Sequence, residues 1–206
     1  MSEGRSQSRI PNNDPQQDRI YCAQSLALGG SRPDLPNEGA ARSVVAAYVG
    51  SLGLADVAIE FRAAPTRPRT LSAEYDSESR VITLDPPPVH ELLIAHEMAH
   101  VATPTPDNPH GPEFARTFLD LVDRNVRLIH LADELRVCLL VFRVKIDPGP
   151  GRWSAPLAGL DRPRLQSLEN ASDTLAQIEM FLRLSFARSM SPDSDCTKLL
   201  SQFWGK

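Results

Sequence analysis

The chain has few of the features that would assign it quickly. Its 206 residues include only three cysteines, Cys22, Cys138 and Cys196, far apart and never in C-x-x-C spacing. That pattern indicates neither a disulfide framework nor a zinc ribbon, and it fits a reducing interior. No apolar run approaches the roughly 20 residues of a membrane helix. The most apolar stretch, VCLLVFRV (137–144), is short and close to charge. The opening segment, MSEGRSQSRIPNNDPQQDRI, lacks the apolar core of a signal peptide. No stripe of Lys or Arg tracks phosphates and the net charge is −4, so nucleic acid is not favoured as a direct ligand. These absences predict a soluble, cytoplasmic protein with no membrane partner.

With 41% apolar residues, the chain can bury one sizeable core, or one domain with an appendage. Residues 1–18 are polar and read as a disordered tail, 19–127 as the domain, and 128–206 as a C-terminal helical extension with a Pro/Gly linker at 147–163. Val44, Val45, Tyr48 and Leu52 recur at helical spacing before Gly53, a plausible stop. Val57, Ile59 and Phe61 alternate as in a half-buried strand, and TLSAEYDSESRVITLD reads as a hairpin around Asp76–Ser79. The prolines at 86–88 end that hairpin, with Pro88 suited to a first helical position.

From Val89 an amphipathic helix is expected, with Ile94, Met98 and Val101 on one face and Leu92, His96 and His100 on another. A further helix begins near Pro112 with the stripe Phe114, Phe118, Leu121, Val122 and Val126, whereas 137–146 fit helix or strand equally. Beyond the linker, Leu165, Leu168, Leu175, Ile178 and Leu182 predict an amphipathic helix. The pattern of strands and helices implies an α+β fold with additional C-terminal helices.

That helix carries the chemistry. His96-Glu97-Met98-Ala99-His100 is an H-E-x-x-H motif. Histidines four apart project from one helical face and can both reach one zinc ion at about 2.0–2.1 Å. Glu97 points about 100° round the helix, where it can act on a metal-bound water as general base without being a ligand. A catalytic zinc needs a third protein ligand and an open position. His110 is the leading candidate, because it follows a proline-rich return loop and precedes Gly111, which permits a close backbone approach, and Pro112, a helix start. Asp107 and Glu113 are the other candidates, better suited to the loop and to the positive end of the next helix. The metzincin spacing fails, because Thr103 and Pro106 occupy its Gly and His positions.

HEMAH followed by HGPEF resembles the zinc site of SprT-like metallopeptidases, and more closely that of a small group of metallohydrolases from actinobacteria and their phages. The resemblance covers roughly residues 40–127. It implies a zincin-like α+β fold, a first helix and then a small twisted sheet packed on the active-site helix with an edge strand facing the substrate cleft, together with His96, His100 and His110 as zinc ligands, Glu97 as base, and Phe114 beneath the site. The cysteine ribbon and basic segments that bring SprT proteins to DNA have no counterpart here, so a DNA-linked role is not carried over.

Other residues read as structural. His90 suits a helix cap or solvent, His130 a boundary position, Cys138 a small buried hydrophobe, and Tyr75 an ordinary strand tyrosine that could otherwise stabilise an oxyanion. The expected function is zinc-dependent hydrolysis of a peptide bond in a protein or peptide substrate. Two alternatives are a regulatory site-specific protease of ImmA/IrrE-like logic, which typically uses an acidic third ligand, and a non-catalytic zinc-binding interaction module.

Overall fold

A computed structural model describes residues 14–28, 34–63, 73–105, 107–148, 196 and 198. Among them are five helices and three strands, an α+β arrangement: α1 (Gln17–Leu28), α2 (Glu38–Leu52), β1 (Ala58–Phe61), β2 (Ala73–Asp76), β3 (Val81–Leu84), α3 (Glu91–Ala102), α4 (Pro112–Arg124) and α5 (Ile129–Val141). The sheet order is β1-β3-β2, with β1 parallel and β2 antiparallel to β3. The hairpin forms as expected. Asp76 closes its turn by accepting from the Glu78 N–H at 3.0 Å and the Ser79 hydroxyl at 2.6 Å. β2 is left as an edge strand beside α3.

Local chemistry explains the helix ends. Asn37 caps α2 through the Ala40 N–H at 2.9 Å, and Gly53 closes it at φ +60, a left-handed conformation that only glycine adopts without steric cost. α3 starts three residues later than Pro88: Val89 is held in an isolated antiparallel bridge with Leu35, and the Glu91 N–H is capped by the Asp34 carboxylate at 2.8 Å. A partner 57 positions away therefore decides where this helix begins. His90 stands at the cap position but makes no side-chain cap bond.

α3 is also not amphipathic in its setting. Leu92, Ile94, Ala95, Met98 and Ala99 are buried, and only His100 among its residues is half-exposed. It lies between α2, α4 and β2 as the central helix of the molecule, which an apolar surround demands.

The polar N-terminus corrects the expected tail. Residues 14–18 belong to the fold: Asp14 accepts from the Gln16 and Gln17 N–H groups, both at 3.2 Å, and so starts α1, which buries Ile20, Ala23, Leu26 and Ala27. Residues 1–13 lie outside the described set. The expected break at 127/128 is likewise not a packing boundary. α5 packs on α1 and α4, and Leu128, Leu135, Leu139 and Phe142 join the same hydrophobic core as Ile20, Ile94 and Phe118. The ambiguous stretch is helical to Val141, and the strand-like alternation of Phe142 and Val144 comes from a turn with Arg143 at φ +52. Val126, assigned to the α4 stripe, falls past the helix end and is 85% exposed. The amphipathic helix read beyond the linker lies outside the described residues.

Cys22 and Cys196 form a disulfide across 174 positions, with Cα atoms 5.4 Å apart. This corrects the expectation of unpaired cysteines and removes the argument from cysteine usage for a reducing compartment. Cys138 is free and buried, its thiol pushed up to about 12 by burial. No helix among the described residues is long and apolar enough to cross a membrane.

Phe118 is fully buried where α4 meets α3, so truncation leaves a cavity next to the histidines. Phe118→Ala should cost about 3–5 kcal/mol of unfolding free energy. Urea titration checks this, and a loss below about 1 kcal/mol would contradict the packing described.

Candidate metal centre

His96 and His100 stand one turn apart on α3, and the loop 103–111 brings His110 back to them. The loop is built for this return. Thr103 caps the end of α3 by donating to the Ala99 carbonyl at 2.6 Å, and a turn follows in which the Asn108 N–H donates to the Thr105 carbonyl at 3.1 Å. Gly111 then passes so close to Asn108 that a β-carbon there would lie 3.1 Å from its carbonyl oxygen and 2.7 Å from its side-chain nitrogen. A larger residue there would have to displace the Asn108 side chain and push its carbonyl back by a few tenths of an ångström.

Donor nitrogens of His96, His100 and His110 lie within 4.8 Å of one another, close enough to hold one metal ion. No carboxylate among the described residues joins that group; Asp107 and Glu113 are exposed. The Nε2 atoms of His96 and His110 are 3.2 Å apart. Two ligand atoms about 2.0–2.1 Å from a tetrahedral ion stand about 3.3 Å apart, so the spacing fits a shared cation.

The protonation pattern fits as well. Burial holds the His96 and His100 imidazoles neutral, lowering His96 far below the usual range and His100 to about 3, with the neighbouring histidines adding to the effect. Burial also lowers His110, against the opposing pull of Asp14. Neutral imidazoles are the form that binds metal.

Asp14 sets the tautomer of His110. One carboxylate oxygen lies 2.5 Å from Nδ1 and also accepts the His110 backbone N–H at 3.1 Å. With the ring proton thereby on Nδ1, the Nε2 lone pair faces His96 and His100. Gln16 braces the same loop, donating to the His110 carbonyl at 3.0 Å and accepting from the Lys145 N–H.

His96 is oriented differently. Its Nδ1 is buried without a hydrogen-bond partner among the described residues, and ring packing holds it instead: Phe114 at 4.9 Å, Phe118 at 5.3 Å and Tyr21 stacked at 5.3 Å and 24°. Phe114 lies under all three histidines, 4.3 Å from the His100 ring and 4.9 Å from that of His110.

Glu97 is buried beside the triad and accepts the Tyr75 backbone N–H from β2. Burial pushes its carboxyl from 4.5 to about 8; the Tyr75 amide opposes this, Glu74 adds to it and Arg62 opposes it. Arg62 is itself paired with Glu74 at 2.8 Å and the buried Asp85 at 3.4 Å. Glu97, His100, His110, Tyr75 and Tyr21 share a cleft of about 750 Å³, with β2 along one wall and α1 along another. A site of this make-up can hold an ion on one side and pass protons on the other.

All four expected site residues thus come together. The N-terminal contributors, Asp14, Gln16 and Tyr21, were not anticipated. A helix-start signal was present in Asp14-Pro15, since Asp is a favoured cap and Pro is tolerated in the first turn, but nothing in the spacing ties position 14 to position 110. Compared with protein-family models, with curated proteins and with solved structures, the chain matches none of them.

Two outcomes are expected. Asn at position 14 offers an amide that can donate to Nδ1 and drive the imidazole proton onto Nε2. Asp14→Asn should therefore weaken metal binding about 10- to 100-fold in competition with a chelating dye, and an unchanged affinity would remove Asp14 from the site.

The second concerns pH in the metal-free protein. Between about 4.5 and 8 the folded chain keeps a proton on Glu97 that the unfolded chain has released, so this group's stabilising contribution is lost as pH rises through the window. The histidines act with opposite sign at lower pH: stability falls as pH drops below about 6.5, where they charge only in the unfolded chain. Glu97→Gln should abolish the first trend and keep the second. Parallel urea-midpoint curves for wild type and variant from pH 5 to 8.5 would contradict this.

Proposed function

We propose that this chain is a zinc-dependent metallohydrolase, most simply a metallopeptidase, kin to the SprT-like enzymes in the logic of its site and zincin-like in its fold. The observation that carries the reading is the convergence of three neutral imidazoles with a buried carboxyl one residue away, of which His100, His110 and Glu97 line a cleft walled by β2 while His96 is buried behind it. The donor set supports zinc as the ion, among the metals that imidazole binds. Three imidazole nitrogens with no carboxylate or thiolate suit zinc, and three protein ligands leave the fourth position open, as a catalytic rather than a structural site requires.

His96, His100 and His110 would hold the ion. Zinc, when bound, lowers the pKa of its water toward about 7 and polarises a carbonyl. The chain's own residues do the rest. Glu97 accepts a proton from the water as its oxygen bonds to the carbonyl carbon, and then delivers that proton to the nitrogen as the C–N bond breaks, releasing a carboxyl group and an amine. A carboxyl with raised proton affinity is well matched to both transfers. The Tyr75 amide keeps Glu97 aimed, and Asp14 keeps His110 in the binding tautomer. The free edge of β2 offers backbone groups to an extended segment of substrate, and so favours a protein or peptide.

Zinc content and cleavage of denatured casein test the proposal. Glu97→Gln should keep about one zinc per chain and lose about 10²- to 10⁴-fold in rate. A variant that holds zinc and cleaves as fast as the wild type would overturn the mechanism, and a zinc-loaded wild type without any cleavage would overturn the assignment.

A further inference from the structure

α1 brings to the cleft a residue that the hydrolytic scheme has not used. Asp14, Gln17 and Tyr21 all border it, the last two one helical turn apart. The Tyr21 ring stacks on His96 at 5.3 Å and meets His110 edge-on at 5.3 Å. The residue is 41% exposed, so the ring is pinned on one side and open to the cleft on the other. Its hydroxyl oxygen accepts from Gln17 Nε2 at 3.4 Å, and among the described residues no acceptor takes the hydroxyl proton. Three other donors around the cleft are committed, Thr103 to the Ala99 carbonyl, Thr105 to the Asn108 carbonyl, and Arg62 to Glu74 and Asp85. Tyr75 and Ser77 also border it, but of the cleft's tyrosines it is Tyr21 whose ring packs on the histidines.

Resting on the hydrolase reading above, we propose that Tyr21 is a catalytic residue whose hydroxyl donates a hydrogen bond to the scissile carbonyl oxygen as water adds and that oxygen gains negative charge. A donor already oriented in a partly dry cleft strengthens as charge develops, so it acts on the transition state more than on the bound substrate. The tilted stack on His96 fixes the ring, and Gln17 fixes the oxygen, leaving the proton as the only free element. Phenylalanine preserves the stack and removes the hydroxyl together with its Gln17 bond, which separates this role from ring packing.

The test uses zinc-loaded full-length chain and two probes followed by calorimetry: a phosphinic analogue of tri-alanine, whose tetrahedral oxygens mimic the developing charge, and a thiol-bearing tri-alanine analogue, which carries no such oxygen. Tyr21→Phe should weaken the phosphinic peptide at least about tenfold while the thiol affinity stays within about twofold and zinc content is unchanged. On casein, kcat should fall about 100-fold with KM constant. An unchanged phosphinic affinity overturns the proposal, and equal losses for both probes assign Tyr21 to packing and also overturn it. A wild type that holds zinc but binds neither probe overturns the hydrolase reading beneath it, a result distinguishable from the other two.

Discussion

The bond between Asp14 and His110 is the interaction on which the site depends. One carboxylate does three things: it caps the first helix, holds the backbone amide of the return loop, and fixes the proton of a ring 96 positions away. Each role constrains the others. Shifting α1 by one residue would withdraw the carboxylate from Nδ1, and rotating the His110 ring would forfeit that hydrogen bond, leaving Asp14 to the Gln16, Gln17 and His110 amides. The helix start and the metal-binding tautomer are therefore specified by the same atoms.

Around that bond the molecule is arranged so that polar groups near the histidines are few and oriented. Phe114 and Phe118 supply an apolar floor, and α3 is surrounded on nearly every side, so the imidazoles are neutral because charging them would strip water from three cations at once. The same burial that keeps the histidines unprotonated keeps a proton on Glu97, since in each case the neutral form is favoured. A divalent ion held by the three histidines would reverse the balance for Glu97 by supplying nearby positive charge, and would satisfy the lone pairs that the fold has turned inward.

Much of this was legible in the sequence where the information is local. His96, Glu97 and His100 declare themselves by helical spacing, His110 by its place between a proline-rich return and a helix start, and the hairpin by a polar turn between alternating strands. What was not legible is long-range. The Leu35–Val89 bridge and the Asp34 cap move the start of α3 to Glu91 although Pro88 is a sound first helical residue in isolation. Cys22 and Cys196 pair across a loop too long to leave any spacing signature. Residues 14–18 are polar because they serve a polar site, and composition alone renders such a segment indistinguishable from a solvated tail. Val126 continues a helical period past the point where Asn125 leaves helical geometry to reach Tyr48 and Glu91, each at 2.6 Å.

The remaining link is between the sheet and the Glu97 carboxyl. An exposed strand edge invites pairing with other chains, and proteins usually blunt it with charge or cover. Here the cover is partial and chemical. The Tyr75 N–H, turned away from β3, is taken by Glu97, while Glu74 carries an exposed charge tied to Arg62. Part of the edge is thus spent on aiming the carboxyl, and no strand among the described residues pairs with the rest. The position of Glu97 is consequently set by the register of β2, through Tyr75 opposite Ile82. A one-residue slip would put Glu74 or Asp76 in that place and turn every β2 side chain to the opposite face, so that a charged side chain would stand where Tyr75 now stands. An extended segment that paired with the free edge would be held in register with the same amide, so that the group aligning a substrate and the group aligning the base would belong to one strand.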